Sequence, residues 1–196
     1  MNDIMPTPQL YLASGSPRRK ELLTQLGYQF ERVVVDVEEQ HQPGESPAEY
    51  VQRLSVDKAL AGVAVVGGKA PVLGADTIVV SGEQILEKPK DFDDAKQMLG
   101  LLSGKRHQVM TAVTVATDGR QETRLVVTDV WFKTLSDKEI ENYWQSGEPQ
   151  DKAGSYGIQG IGGKFVERID GSYYAVVGLP LVETDIMVQD FLDLSI

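Results

Sequence analysis

The 196-residue chain contains no cysteine. Disulfide frameworks, thiol nucleophiles and cysteine-ligated zinc are excluded together. Histidine is nearly as scarce, with His41 and His107 the only two. That is too few for a histidine-rich metal site, so a bound divalent cation must rely on carboxylates, which suit Mg²⁺ or Mn²⁺. Neither histidine has a serine partner at a nucleophile elbow. Cations are outnumbered: 19 Lys and Arg stand against 29 Asp and Glu, a formal charge of −10. This argues against broad nucleic-acid binding, which needs a basic stripe. It leaves room for one small basic site that takes an anionic ligand. No window reaches the roughly 18 apolar residues of a membrane span, and the first eight residues lack the pattern of a signal peptide. The expectation is a cytoplasmic protein with no membrane and no nucleic-acid partner. Internal repeats, low-complexity tracts and a Gly-x-x-x-x-Gly-Lys-Ser/Thr phosphate loop are also missing.

What is present is globular in composition, with 41% hydrophobic and 24% charged residues. The length fits one domain over residues 1–196, with 1–9 expected to be flexible. Such a chain buries roughly 70% of its extended surface and needs no covalent staple.

The local signals alternate between strand and helix, which argues α/β. Residues 10–13 read as a short buried strand. Ser16 then caps a helix with Pro17 at its first position, carrying Leu22, Leu23 and Leu26 and stopping at Gly27. Residues 30–37 read as a second strand. Ser46 and Glu49 form a capping box for a long helix to about Val66, with Val51, Leu54, Ala61 and Val65 as its core positions. Two short strands, 72–73 and 77–80, flank Gly74-Ala75-Asp76. Asp91 caps a helix to Leu102. Asp118-Gly119 joins two long strands as a hairpin, and Ser136 with Glu139 opens another helix. A second hairpin, 165–169 with 173–177, is predicted over Asp170-Gly171. Pro180 opens the last helix. The fold class expected is a mixed α/β sheet flanked by helices. Two lobes around a cleft follow if the long hairpins extend that sheet.

Four segments can carry chemistry. In Ser14-Gly15-Ser16-Pro17-Arg18-Arg19, a strand runs through a tight turn into a helix start. Free N–H groups, two hydroxyls and two guanidiniums there suit phosphate oxygens; a capped helix with two solvated arginines is the plain alternative. Asp76 lies in an apolar setting, which is costly unless the acid is paired or metal-bound. It reads as a general base or metal ligand, or as the cap of a turn. Gly74, two residues earlier, lets something approach the backbone. Asp36, Glu38 and Glu39 offer carboxylates for a hard cation, or a solvated acidic loop. Lys58 and Lys88 become functional only if the fold brings them to the phosphate site. Residues 153–163 form a glycine-rich loop without the strand and helix of a dinucleotide fingerprint. In that loop Gln159 is free to read a polar edge of a ligand, unless the segment is a plain turn.

In this order, the segments Leu12 to Arg19, Val37-Glu38-Glu39, Asp57-Lys58-Ala59, Gly74 to Thr77, Glu87-Lys88-Pro89, the loop 153–160, and Gly171-Ser172-Tyr173 with Val177 to Pro180 resemble the Maf family of nucleoside triphosphate pyrophosphatases. The resemblance covers about residues 10–183. It implies two lobes around a cleft, similar to the inosine triphosphate pyrophosphatases. It also implies hydrolysis between the α- and β-phosphates, a divalent metal (Mg or Mn), and a homodimer. By position, Asp76 is similar to the family's acceptor of the water proton, and the expectation for the metal is that Asp76 and Glu39 hold it. Ser14, Arg19, Glu39, Lys58 and Lys88 fall on the polar catalytic cluster, with Ser16 beside them at the helix start. Arg18, Thr77 and Gln159 resemble the branch that acts on dTTP and UTP rather than on 7-methyl-GTP. Asp57 departs from the glutamate of many relatives at a position with no assigned role. The rival readings are a nucleotide-sensing regulator of cell division, a nucleic-acid module, and an enzyme that cleaves the terminal phosphate.

Overall fold

The computed structural model describes residues 8–68 and 70–193. Residues 1–7 of the segment expected to be flexible lie outside the described residues, whereas Gln9 donates its N–H to the Gln29 carbonyl at 2.8 Å.

Seven strands form one mixed sheet. They are β1 (Leu10–Leu12), β2 (Phe30–Arg32), β3 (Val72–Ser81), β4 (Gln84–Leu86), β5 (Arg106–Thr117), β6 (Arg120–Phe132) and β7 (Val166–Asp170). The order is β2-β1-β3-β5-β6-β7, with β4 also on β3. β1 is parallel to β2 and to β3, and every other pairing is antiparallel. The helices are α1 (Pro17–Gln25), α2 (Pro47–Val66), α3 (Phe92–Leu102), α4 (Asp137–Gln145), α5 (Tyr173–Val177) and α6 (Leu181–Phe191). The local start signals act as expected. Ser16 Oγ accepts from the Arg19 N–H, and Ser46 and Ser136 each complete a capping box.

Four local expectations change. The second strand stops at Arg32, because its partner β1 ends at Leu12; Val34 beyond it is 90% exposed. The two short strands around Asp76 are one ten-residue strand, held extended because β5 pairs with it from Val72 to Val80. Residues 173–177 are helical, not the return strand of a hairpin. Ser172 Oγ caps the Ala175 N–H at 3.1 Å and Gly178 ends the turn. Val65 is exposed, not core. The buried stripe of α2 instead runs through Val51, Leu54, Ser55, Ala59 and Gly62. Its small residues are inside because the helix lies directly on β3.

Residues two apart on a strand share a face. On one face of β3 and β5, Leu73, Ala75, Val113 and Val115 join a core with α1 and α6. Farther along that face, Val79 and Val109 join a second core with α3 and α4. Between them stand Thr77 and Thr111, whose hydroxyls are 2.9 Å apart. Two apolar lobes thus meet across a polar seam. On the opposite face, Ile78, Val80 and Ala112 pack under α2 with Tyr50, Val51 and Leu54.

The seam coincides with a gap in the sheet. β1 reaches only Val72 and Leu73 of β3, and β4 only Val79 to Ser81. Both lie on the edge opposite β5. From Gly74 to Ile78 that edge has no neighbouring strand, so Asp76 and Thr77, on opposite faces, both open into the same cleft.

Candidate active site

The cleft has a volume of about 840 Å³ and runs along this open edge between the two lobes. It is lined by Ser14, Ser16, Arg18, Arg19, Glu39, Lys58, Asp76, Thr77, Lys88 and Gln159, whereas Asp36 and Glu38, the other two carboxylates offered for a cation, are not among its lining residues.

Asp76 is buried within β3. Gly74 explains how it acquires a partner. A Cβ at Gly74 would stand 2.5 Å from the Ala59 nitrogen and 2.6 Å from the Ser55 oxygen, so the approach that this glycine permits is that of the α2 backbone itself. Contact at Ala59 sets the preceding residue, Lys58, over Asp76. Lys58 Nζ donates to Asp76 Oδ1 at 2.8 Å and meets Glu39 Oε1 at 2.7 Å. Two carboxylates from distant segments therefore converge on one ammonium. Burial alone would raise the Glu39 carboxyl. The hydrogen bond and charge of Lys58, with Lys88 and Arg19, hold it below its ordinary value, so Glu39 is ionised at neutral pH.

Arg19 leaves the first turn of α1 and crosses the seam. Its Nε donates to the Gly178 carbonyl at 2.8 Å, Nη1 to Ser14 Oγ at 3.3 Å, and Nη2 to Thr77 Oγ1 at 3.0 Å. All three acceptors are neutral. Burial pulls its pKa down, Asp76 opposes that, and a guanidinium stays charged regardless. The plain reading of solvated arginines therefore fails for Arg19. Its charge is oriented but not neutralised, and two of its five N–H groups remain for a ligand.

A model of the Maf-like protein family matches residues 9–191. The chain belongs to that family. A relative from Photobacterium profundum, named dTTP/UTP pyrophosphatase, is 75% identical over 97% of this chain and 100% of its own length. Relatives with the same name from Aliivibrio fischeri and Vibrio cholerae are 66% and 65% identical, covering 94% and 95% of this chain and 98% and 100% of theirs. Among solved structures, the Staphylococcus aureus Ham1 protein has 13% identity and a TM-score of 0.46, over 63% of this chain and 71% of that one.

The Maf-like cleft also holds residues that the sequence reading passed over. Arg32 ends β2 and lines the cleft; its Nε donates to the Ser14 carbonyl at 3.1 Å. Ligand sites lie off the carboxyl ends of parallel strands, and that rule, applied to the end of the second strand, would have found Arg32. Glu148 and Lys152 also line the wall beside Gln159. Glu148 opens a 3₁₀ turn (Glu148–Asp151), Lys152 links it to the next (Ala153–Ser155), and nothing in their spacing signals a role. Among the described residues, Arg18, Arg19, Arg32 and Lys88 have no carboxylate within 4.0 Å. Four cations in an acidic protein thus face the cleft without an anionic partner. The histidines stay outside it: His41 is in an exposed loop, and His107 is buried in β5 with Nε2 2.7 Å from the Tyr156 hydroxyl. Among the described residues, no helix is long and apolar enough to cross a membrane.

Proposed function

We propose that this protein hydrolyses dTTP and UTP between the α- and β-phosphates, releasing the nucleoside monophosphate and pyrophosphate. One observation carries the reading: a carboxylate pair held by Lys58 stands at the same open strand edge as four cations without anionic partners. Such a cleft attracts a polyanion and offers a base beside it. The shared name of the full-length relatives supplies the substrate class.

Asp76 accepts the proton of the attacking water. Arg19 is fixed in advance by Ser14, Thr77 and Gly178, so its remaining N–H groups meet phosphate oxygens without reorganisation. Arg18, Arg32 and Lys88 offset the charge of the phosphate chain and of the leaving pyrophosphate. The first turn of α1, after Ser16, adds N–H donors and the positive end of the helix dipole. Thr77 and Gln159 select the pyrimidine; an amide both donates and accepts, as a pyrimidine edge requires.

The donor set suits a divalent cation. Among the described residues, no cluster of three acidic or histidine ligands occurs, but Asp76 and Glu39 each use one oxygen on Lys58. Their second oxygens, Oδ2 and Oε2, form no hydrogen bond with the described residues. Two carboxylates with substrate and water oxygens completing the shell fit Mg²⁺ or Mn²⁺. Such an ion supplies Lewis acidity toward the phosphate oxygens.

The test is a panel of nucleoside triphosphates incubated with Mg²⁺, with both products identified. dTTP and UTP should yield monophosphate and pyrophosphate, and Asp76→Asn should lower kcat by at least about 100-fold while staying folded. Orthophosphate as the product, or near-normal turnover by Asp76→Asn, would overturn the reading.

A further inference from the structure

We propose that Glu148 is a positioning residue for pyrimidine recognition. Its carboxylate clamps the loop that presents Gln159 to the cleft. The inference rests on the role given to Gln159 above.

Gln159 is exposed in the segment between Tyr156 and the 3₁₀ turn Ile161–Phe165. The segment has little internal support. A backbone bond from the Gly163 N–H to the Gly160 carbonyl at 3.1 Å lies beyond Gln159, at the start of the 3₁₀ turn. Ile158 packs against both apolar cores, and the polar anchoring on either side of Gln159 comes from one outside unit. Tyr143, buried in the α3–α4 lobe, accepts the Gly157 N–H at 3.1 Å and donates its hydroxyl to Glu148 Oε1 at 2.7 Å. The same Oε1 accepts the Gly162 N–H at 3.0 Å, and Oε2 accepts the Ile161 N–H at 2.8 Å. Both feet of the loop are therefore tied to one Tyr143–Glu148 pair, and Gln159 sits on the span between them. The Glu148 carbonyl in turn accepts from Lys152 Nζ at 2.8 Å.

This clamp accounts for the glycines. A Cβ at Gly162 would stand 2.6 Å from the Tyr143 hydroxyl, and one at Gly157 would stand 2.7 Å from Lys152 Cε. A Cβ at Gly160 would collide with the Glu148 carboxylate. The close approach at these three glycines thus involves the protein's own side chains, and at Gly163 it is the Ile158 carbonyl that stands 2.5 Å from an added Cβ. A carboxylate has enough lone pairs to accept all three donors at once, and no neutral side chain of that size does. A loop held in its bound shape spends less binding energy on ordering, and it holds the amide where a wrong base cannot be accommodated.

The test compares Glu148→Ala and Glu148→Gln with the wild type. kcat and KM are measured for UTP and GTP, and hydrogen exchange is measured on residues 157–163. In Glu148→Ala the amides of Ile161 and Gly162 should lose protection. KM for UTP should rise by about tenfold with kcat within about threefold, the pattern of lost ground-state binding. The UTP-to-GTP ratio of kcat/KM should fall by about tenfold. Glu148→Gln keeps the two bonds on Oε1 and should fall between the two. Loss of protection with an unchanged ratio would overturn the proposal. So would an equal loss of kcat for both nucleotides, which marks a purely structural role. Gln159→Ala separates the two readings. If it leaves the ratio unchanged, the base-reading role of Gln159 fails, while the exchange data still report on the clamp.

Discussion

In the proposed reaction, Asp76 draws its reactivity from where its strand ends up. It stands in a run of apolar residues, pairs on its backbone with β5, and has its side chain on Lys58. Its unusual setting was legible, because a lone acid among Ala75, Ile78 and Val79 needs a partner. Lys58 was not, since a lysine in a helix is ordinary until a strand 18 residues later lies beneath it. His107 shows the converse. It sits at a strand start in a polar stretch, yet it is 2% exposed and packed edge-on against Phe132 and Tyr156. Burial pushes its imidazole down from 6.5 to about 4, with Asp129 opposing weakly. The unfolded chain therefore binds more protons between those values. The stabilisation is complete above pH 6.5 and is lost as pH falls toward 4. His107→Gln keeps a donor for Tyr156 but does not titrate. Urea unfolding at pH 7.5 and pH 5 should show wild type losing about 2 kcal/mol more than the variant over that interval. An equal loss in both proteins would mean that His107 is not neutral in the fold.

Elements whose signals are local were read correctly. Ser16-Pro17, the two capping boxes and Asp118-Gly119 each settle their own turn by short-range hydrogen bonds or backbone preference. Residues 173–177 were misread because aromatic and β-branched residues favour a strand, while tertiary packing decided for a helix. Ala175 and Val177 are buried, and the Ala175 carbonyl accepts from Thr111 Oγ1 at 2.7 Å. The difference matters, since this helix delivers the Gly178 carbonyl to Arg19. The contact of α2 with β3 has the same standing. Gly74 was read as a site of close approach, but the approaching group belonged to a helix whose buried stripe was read correctly at Val51 and Leu54 and missed at Ser55, Ala59 and Gly62. Gly74→Ala should separate the two backbones. The expected cost is about 1–3 kcal/mol, from overpacking that backbone atoms cannot relieve, together with a fall in dTTP turnover as Lys58 leaves Asp76. Denaturant titration and kinetics on the same preparation check both. A fully stable, fully active variant would show that the Ala59 contact does not place Lys58.

At the scale of the molecule, a chain of formal charge −10 keeps four cations without acidic partners in one cleft. Composition hides that arrangement, because averaging over the surface cancels it. The strand order hides it too: the gap between β1 and β4 along β3 depends on long-range pairings that no local pattern encodes. The interleaving of elements and the mixed sheet were legible. The polar seam of Thr77 and Thr111 between two cores was not. The account places the attacking water beside Asp76 at the α-phosphorus, so a bond forms from the water oxygen to that phosphorus, and the bond to the bridging oxygen breaks. Hydrolysis of UTP in ¹⁸O-labelled water, with mass analysis of both products, tests this most directly. The account predicts the label in the monophosphate and none in the pyrophosphate. Label in the pyrophosphate would place the attack at the β-phosphorus and contradict the account.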